Sequence, residues 1–295
     1  MRWARSVLIT DVDNTLLDWV EVWHATFSAM VEKLVSISGV PRDQLLDEIR
    51  EVHQRHGTSE YAFLVEEVPA LRTAAGPVPP SIFYEDAIAE YGRVRTKVLR
   101  LYPTVLQCLT ELRAAGVKIV AYTESLAYYT EYRFRKLGLD AVVDFLYSPA
   151  DHDLPKGLTR DEVRRYPASH YKMAVTEHLH TPSGELKPNP RLLLDILEQI
   201  GAEPSDAVYV GDSLVKDVAM AQEAGVLDAH AAFGVAQHTE AYDLLRRVTH
   251  WSDADVKEES ATIERRSVSP TIVLESNFGE LREHVAFHRH QRRAA

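Results

Sequence analysis

The stretch that decides the reading of this chain is Val7-Leu8-Ile9, followed by Asp11-Val12-Asp13-Asn14-Thr15. The apolar run reads as a buried strand. Two carboxylates spaced i and i+2 then stand where that strand ends and a loop begins. In open α/β sheets this carboxyl end is where ligands bind. One aspartate can attack an electrophile while its neighbour handles protons. On its own the pentapeptide also suits a calcium loop or an ordinary Asp-rich turn.

Three later segments bear on that choice. Lys118 to Tyr122 is an apolar run that ends in Thr123, so a hydroxyl stands at a second strand end. Alone, such a threonine reads equally as the cap of a following helix. Glu185-Leu186-Lys187-Pro188-Asn189-Pro190 precedes the helical stretch Arg191 to Ile200. Its two prolines fix the loop and the helix start, and so the direction of Lys187. Alone, this is a solvated lysine before a capped helix. Val208-Tyr209-Val210-Gly211-Asp212 is a third strand that ends on an acid, with Asp217 at the start of the next helix. Asp212 also suits a turn and Asp217 a helix dipole.

Taken together and in this order, the four segments resemble the haloacid dehalogenase-like hydrolase superfamily. The likeness runs from about Val7 to Phe233 and includes the run Asp217 to Gly225 after the fourth motif. The resemblance implies that Asp11 is a nucleophile that becomes an aspartyl-phosphate. Asp13 would protonate the leaving alcohol and then activate water. Thr123, Glu124 and Lys187 are the candidate phosphate-binding residues. Glu124 is a departure, because many family members carry Asn there. The implied metal set is Asp11, Asp212 and Asp217 with the backbone carbonyl of Asp13, and the implied cofactor is Mg²⁺. The branch implied is a phosphatase with a helical cap, similar to phosphoglycolate phosphatases.

Elementary electrostatics agrees with such a site. Two like charges ~4 Å apart repel by roughly 4 kcal/mol at an effective dielectric of about 20. Four clustered carboxylates therefore need a cation, or some must be protonated. A set of oxygen donors without Cys or His favours a hard ion such as magnesium. Asp13 also separates chemistries. Halide leaves unprotonated, whereas the oxygen of a phosphate ester needs a proton.

The remaining composition narrows the function further. The net charge of −11 argues against a nucleic-acid partner, so attraction for phosphate must be local. The single cysteine, Cys108, falls on a helical apolar pattern and reads as a buried thiol. No stretch suits a signal peptide or a membrane span, which leaves a cytoplasmic protein as the expectation.

The expected fold class is α/β: a Rossmann-like, doubly wound parallel sheet with an inserted helical cap domain. The core would comprise 1–17 and 103–295, with an extra insertion about 148–184, and the cap 18–102. Within the cap, Trp23, Phe27, Met30, Val31 and Leu34 recur at helical spacing, and further helices are expected over 42–56, 60–67 and 82–99. After it, strands are expected at 117–122, 142–147, 229–233 and 271–274. The polar stretch 148–184 reads as a surface loop with one short helix, 171–178. The segment 241–248 reads as a helix, the highly charged 253–266 as a solvated helix, both within the span given to the core, and the basic tail 288–293 as a disordered terminus.

His178 and His180, with His152 and His170 nearby, raise a transition-metal site. An i, i+2 spacing on a helix puts the pair on different faces and counts against it. Trp19 and Trp23 are expected in cap–core packing, and the tyrosines around Thr123 in helix packing. The partner these readings imply is a small phosphorylated metabolite, with no nucleic acid and no membrane. Two alternatives stay open at this level. One is a phosphomutase of the same superfamily, and the other is a non-catalytic ligand- or partner-binding protein of the same fold.

Overall fold

The computed structural model describes residues 2–151, 154, 159, 167–235, 240–251 and 268–291. The central element is a seven-stranded, wholly parallel sheet. Its strands are β2 (Val7–Thr10), β3 (Lys118–Tyr122), β4 (Phe145–Ser148), β5 (Glu177–His180), β6 (Ala207–Gly211), β7 (Leu227–Ala231) and β8 (Ile272–Leu274). Their order is β5-β4-β3-β2-β6-β7-β8. A separate parallel pair joins β1 (Trp3–Arg5) to β9 (Val285–Phe287).

The sequence explains why the middle strands are central. Val7, Leu8 and Ile9 are all fully buried, although successive side chains of a strand point to opposite faces. Both faces must therefore be covered, as in parallel sheets generally. On one face Val7, Ile9, Val120 and Tyr209 pack with Leu193, Ile196 and Leu197 of the helix Pro190–Ile200. That helix starts on Pro190, and the Asn189 side chain accepts from the Leu192 N–H at 2.9 Å. Chain order runs outward from β2 through β3, β4 and β5, then restarts on the other side with β6. The reversal lies between β2 and β6, which is the position where such sheets bind ligands.

The chain divides into two compact units. The first is Met1–Asp18 with Arg100–Val235 and Ile263–Ala295; the second is Trp19–Leu99 with Ala236–Thr262. The second unit is helical. Its core holds Trp23, Phe27, Val31, Leu34, Leu45, Ile49, Val52 and Tyr84. Trp23 stacks on Phe27 with ring centroids 4.7 Å apart, and its Nε1 donates to the Ser59 carbonyl at 3.1 Å. Both Trp19 and Trp23 thus pack within this unit.

Several elements differ from the expectation. The helix Glu240–Val248 joins the helical unit, because Ala241, Leu245 and Val248 bury their side chains in that unit's core. A cap bounded at 18–102 therefore omits one helix, which the sequence places far away. The expected helix 171–178 is a short 3-10 turn, Ala168–Tyr171, followed by strand β5. Asp140 explains the change. Its carboxylate accepts the backbone N–H groups of Ala174, Val175 and Thr176 at 2.7–3.0 Å, which turns the chain into pairing with β4. Strand pairing is non-local, so helical periodicity could not register it. The stretch 288–290 is held as well: the His288 N–H donates to the Arg5 carbonyl and that of His290 to Gly116, each at 2.9 Å. The expected helix 253–266, and His152, lie outside the described residues. No helix among the described residues is long and apolar enough to cross a membrane.

His53 gives the helical unit a titratable core. It is 1% exposed, and its Nδ1–H donates to the Val248 carbonyl at 2.7 Å. Burial pushes its pKa down to about 4. Folded His53 is therefore neutral, while the unfolded chain takes up a proton below about pH 6.5. Its stabilising contribution is complete above pH 6.5 and is lost as pH falls towards 4, by on the order of 3 kcal/mol. Trp19, Trp23 and Trp251 all lie in this unit, so tryptophan fluorescence reports its unfolding. In urea titrations at pH 7 and pH 4.5, His53→Asn should flatten the acid loss of stability. An unchanged loss would assign the effect to other groups.

Candidate active site

The site is assembled at the carboxyl ends of β2, β3 and β6. Asp11 follows β2, Thr123 follows β3 and Asp212 follows β6. The Asp11 N–H donates to the Val210 carbonyl at 2.8 Å, which continues the strand pairing one residue into the site. Thr15 lies back over the two acids, with its hydroxyl 3.4 Å from Asp11 Oδ2 and 3.5 Å from Asp212 Oδ1.

Lys187 is the hub. Its Nζ donates to Asp11 Oδ1 at 2.5 Å and to Asp217 Oδ1 at 2.9 Å. It also lies over two aromatic rings, 4.8 Å from the Tyr122 centroid and 5.5 Å from that of Tyr209. Tyr209 donates its hydroxyl to Asp217 at 3.0 Å. Burial by itself would lower the pKa of Lys187. The Asp11 and Asp217 carboxylates outweigh it and hold the pKa well above the usual lysine range, so the ammonium stays charged.

Asp11, Asp212 and Asp217 form the one three-acid group of metal-binding geometry among the described residues, with one oxygen of each within 4.8 Å of the others. Burial first, then the neighbouring acids, raises Asp11 to about 7 against the pull of Lys187. Asp212 is raised well above the carboxylate range for the same first reason, helped by Asp11 and Asp217. These groups are crowded with more negative charge than the local cations balance. All donors are oxygens, so the set suits a hard divalent cation.

The carboxylate of Asp13 is outside that cluster. It accepts from Ser125 Oγ at 2.5 Å, from Thr123 Oγ1 at 3.5 Å and from Arg133 at 3.2 Å. The metal contact implied for Asp13 was through its carbonyl, so its side chain is left for other work. Glu124 calls for a correction. Its Oε1 accepts the Lys187 backbone N–H at 2.9 Å, and its Oε2 accepts from Lys216 Nζ at 2.8 Å. The side chain expected at the phosphate is instead a brace on the loop that carries Lys187. Lys216 neutralises the acid that stands at 124 in place of the family's usual Asn.

Two glycines are fixed by close approach. A Cβ on Gly211 would lie 2.3 Å from Asp217 Cγ, and one on Gly234 would lie 1.6 Å from the Asn14 carbonyl oxygen. Asn14 itself has φ 58°, in the left-handed region that Asn tolerates better than most residues. Asp217 lies in a π-turn, Leu214–Val218, entered at Ser213, whose N–H donates to Asp217 Oδ2 at 3.1 Å. Such turns are frequent at functional sites.

Sequence reading missed Ser125, Arg133, Tyr209 and Gly234. A signal existed for Arg133. It lies on the face of the helix Ala127–Leu137 that also carries the buried Ala127, Thr130 and Phe134, where an apolar residue is the ordinary choice. Gly234 left no local sign, because the atom it clears belongs to residue 14.

The histidine pair needs a second correction. His178 and His180 lie on a strand, where i and i+2 share a face, and their ring centroids are 4.8 Å apart. Both nitrogens of His178 are nevertheless engaged, with Glu131 at 3.0 Å and Ser148 at 2.8 Å. Ser148 is fully buried, so this Ser-His-Glu group braces β5 against β4 and offers no accessible nucleophile.

A match to the family described as haloacid dehalogenase-like hydrolase spans residues 6–225. The chain belongs to that family. Among curated proteins, it is 24% identical over 237 residues to a glyceraldehyde 3-phosphate phosphatase of Methanopyrus kandleri, covering 79% of this chain and 86% of the relative. A protein of the same name from Methanocaldococcus jannaschii is 20% identical over 221 residues, covering 75% of this chain and 82% of the relative. Among solved structures, a 2-haloacid dehalogenase of Pseudomonas syringae superposes with a TM-score of 0.55 at 19% identity, covering 96% of this chain and 97% of the other. A haloacid dehalogenase-like phosphatase of Thermococcus onnurineus gives 0.52 at 18%, covering 96% and 99%. At these identities the structural likeness concerns the fold, which hosts more than one chemistry.

The Gly211 contact yields a direct check. Gly211→Ala should push the Asp217 carboxylate off its place beside Lys187 and lower any hydrolytic turnover by roughly 10²-fold, the scale of losing one fixed charged group from a site. Steady-state rates of the purified variant, with circular dichroism to verify folding, decide this. Full activity would mean that Asp217 tolerates displacement.

Proposed function

We propose that this hydrolase is a magnesium-dependent phosphatase that cleaves a small phosphate monoester through an aspartyl-phosphate on Asp11. The carrying observation is the Asp13 carboxylate, hydrogen-bonded to Thr123 and Ser125 beside the Asp11 loop. A dehalogenase needs no acid there, because halide departs without a proton. An alkoxide leaving group needs one.

The steps follow from the residues. Asp11 attacks phosphorus, the bond from phosphorus to the ester oxygen breaks, and Asp13 supplies the proton that releases the alcohol. Water then attacks phosphorus of the aspartyl-phosphate, Asp13 takes its proton, and phosphate leaves with Asp11 regenerated. Thr123 and Lys187 hold the phosphoryl oxygens, and Glu124 keeps the Lys187 loop in place. Asp11, Asp212 and Asp217 would hold Mg²⁺, which supplies charge neutralisation and alignment of the phosphoryl group.

Four acids, Asp11, Asp13, Asp212 and Asp217, face two fixed cations, Lys187 and Arg133. A divalent ion brings that formal balance to neutrality, which supports the cofactor. The curated relatives make a three-carbon phosphate ester the first substrate to test.

Phosphate release from a panel of phosphorylated metabolites, glyceraldehyde 3-phosphate included, tests the reading. Release should need Mg²⁺, stop with EDTA, and fall by roughly 10³-fold or more in Asp11→Asn. A bisphosphate product in place of free phosphate would identify a mutase. Equal release by wild type and variant would overturn the nucleophile assignment.

A further inference from the structure

We infer that Arg133 is a positioning residue for the acid–base step: it holds the Asp13 carboxylate, with Ser125, in the orientation that serves the leaving oxygen. The inference rests on the phosphatase reading and deepens it. Its warrant is geometric. One Arg133 nitrogen reaches Asp13 Oδ1 at 3.2 Å, Asp13 Oδ2 at 3.5 Å and Ser125 Oγ at 3.1 Å. Ser125 Oγ in turn reaches Asp13 Oδ2 at 2.5 Å. Carboxylate, hydroxyl and guanidinium thus close a triangle.

The Arg133 side chain is only 5% exposed. A buried guanidinium is costly to desolvate, and an apolar residue on that helix face would pack at less cost. A purely structural tie would not need a cation aimed at the catalytic loop. Asp13, for its part, is a short side chain near Asp11 and the other acids. Their repulsion alone would turn its carboxylate outward. Arg133 and Ser125 oppose this: Arg133 reaches both oxygens, and Ser125 holds Oδ2. General acid–base catalysis depends on such fixed geometry.

Choice of leaving group separates positioning from mere structural support. An alkoxide leaves only with a proton, so its departure depends on Asp13. The p-nitrophenolate ion is stabilised by its ring and leaves without one. Turnover of the best alkyl phosphate from the panel and of p-nitrophenyl phosphate should be measured for wild type, Arg133→Met, Arg133→Lys and Ser125→Ala. Melting curves of each variant verify folding.

In Arg133→Met, kcat/KM for the alkyl ester, which reports the steps up to departure of the alcohol and not the later water attack that both esters share, should fall by about 10²-fold, the lower end of general acid–base effects. For p-nitrophenyl phosphate the fall should be less than about fivefold on the same scale. Arg133→Lys should recover about tenfold of the alkyl rate, since a single nitrogen makes all three contacts. Ser125→Ala should show the same bias towards the aryl ester. It carries the test together with Arg133→Lys should Arg133→Met fail to fold. Equal losses on both esters, or no loss on either, would overturn the inference while leaving the phosphatase intact. Absence of release from both esters by wild type would overturn the phosphatase reading, and this inference with it.

Discussion

The Lys187 ammonium, shared between Asp11 and Asp217, is the interaction on which the rest of the site depends. The three side chains come from three distant parts of the chain, and none could remain buried and charged alone. A lone buried carboxylate or ammonium would neutralise instead. Paired, they form a charged knot at the point where the sheet changes direction. Tyr122 and Tyr209 enclose it with their rings, and the Tyr209 hydroxyl adds a further bond to Asp217. The backbone around the knot is correspondingly exacting. Gly211 exists to let Asp217 in, and Gly234 exists to let the Asn14 carbonyl pass.

Beyond the knot, the charges are arranged in pairs with separate tasks. Lys187 pairs with Asp11, and Arg133 with Asp13. Lys216 cancels Glu124, whose second oxygen fixes the Lys187 backbone. This last pair turns an apparent misfit of the second motif into a clamp between it and the third. What remains unbalanced is a surplus of negative charge at Asp11, Asp212 and Asp217, oriented through oxygens only. A hard divalent cation is the simplest group that would complete such an arrangement.

The helical unit has a different economy. Its stability comes from aromatic and aliphatic packing around Trp23, Phe27, Leu45 and Ile49, and one of its buried polar groups, His53, is neutral and capped by one carbonyl. It closes its core with a helix, Glu240–Val248, that the chain supplies only after the whole sheet but one strand of it has been traced. Ala241, Leu245 and Val248 follow helical spacing and identify a buried face. Periodicity states that such a face exists and is silent about what covers it.

The same division holds for the molecule. By itself the sequence determined the parallel α/β sheet and the four motif positions. Each depends on a local pattern: an apolar run with an acid or hydroxyl at the strand end for three of them, and two prolines before a helix for Lys187. It also determined the helical insertion, through 3.6-residue spacing over long segments. Only the tertiary structure decided what depends on residues far apart in the chain. The helix expected over 171–178 gives way to a turn and edge strand β5, whose pairing with β4 leaves no trace in its own periodicity. Glu124 could be assigned a task only once Lys216 stood beside it, 92 positions away. Arg133 became legible only when the helix that carries it lay against the Asp13 loop, 120 positions earlier. Local propensity fixes elements; charge pairing and close packing are set by distances in space, which a single chain of letters does not contain.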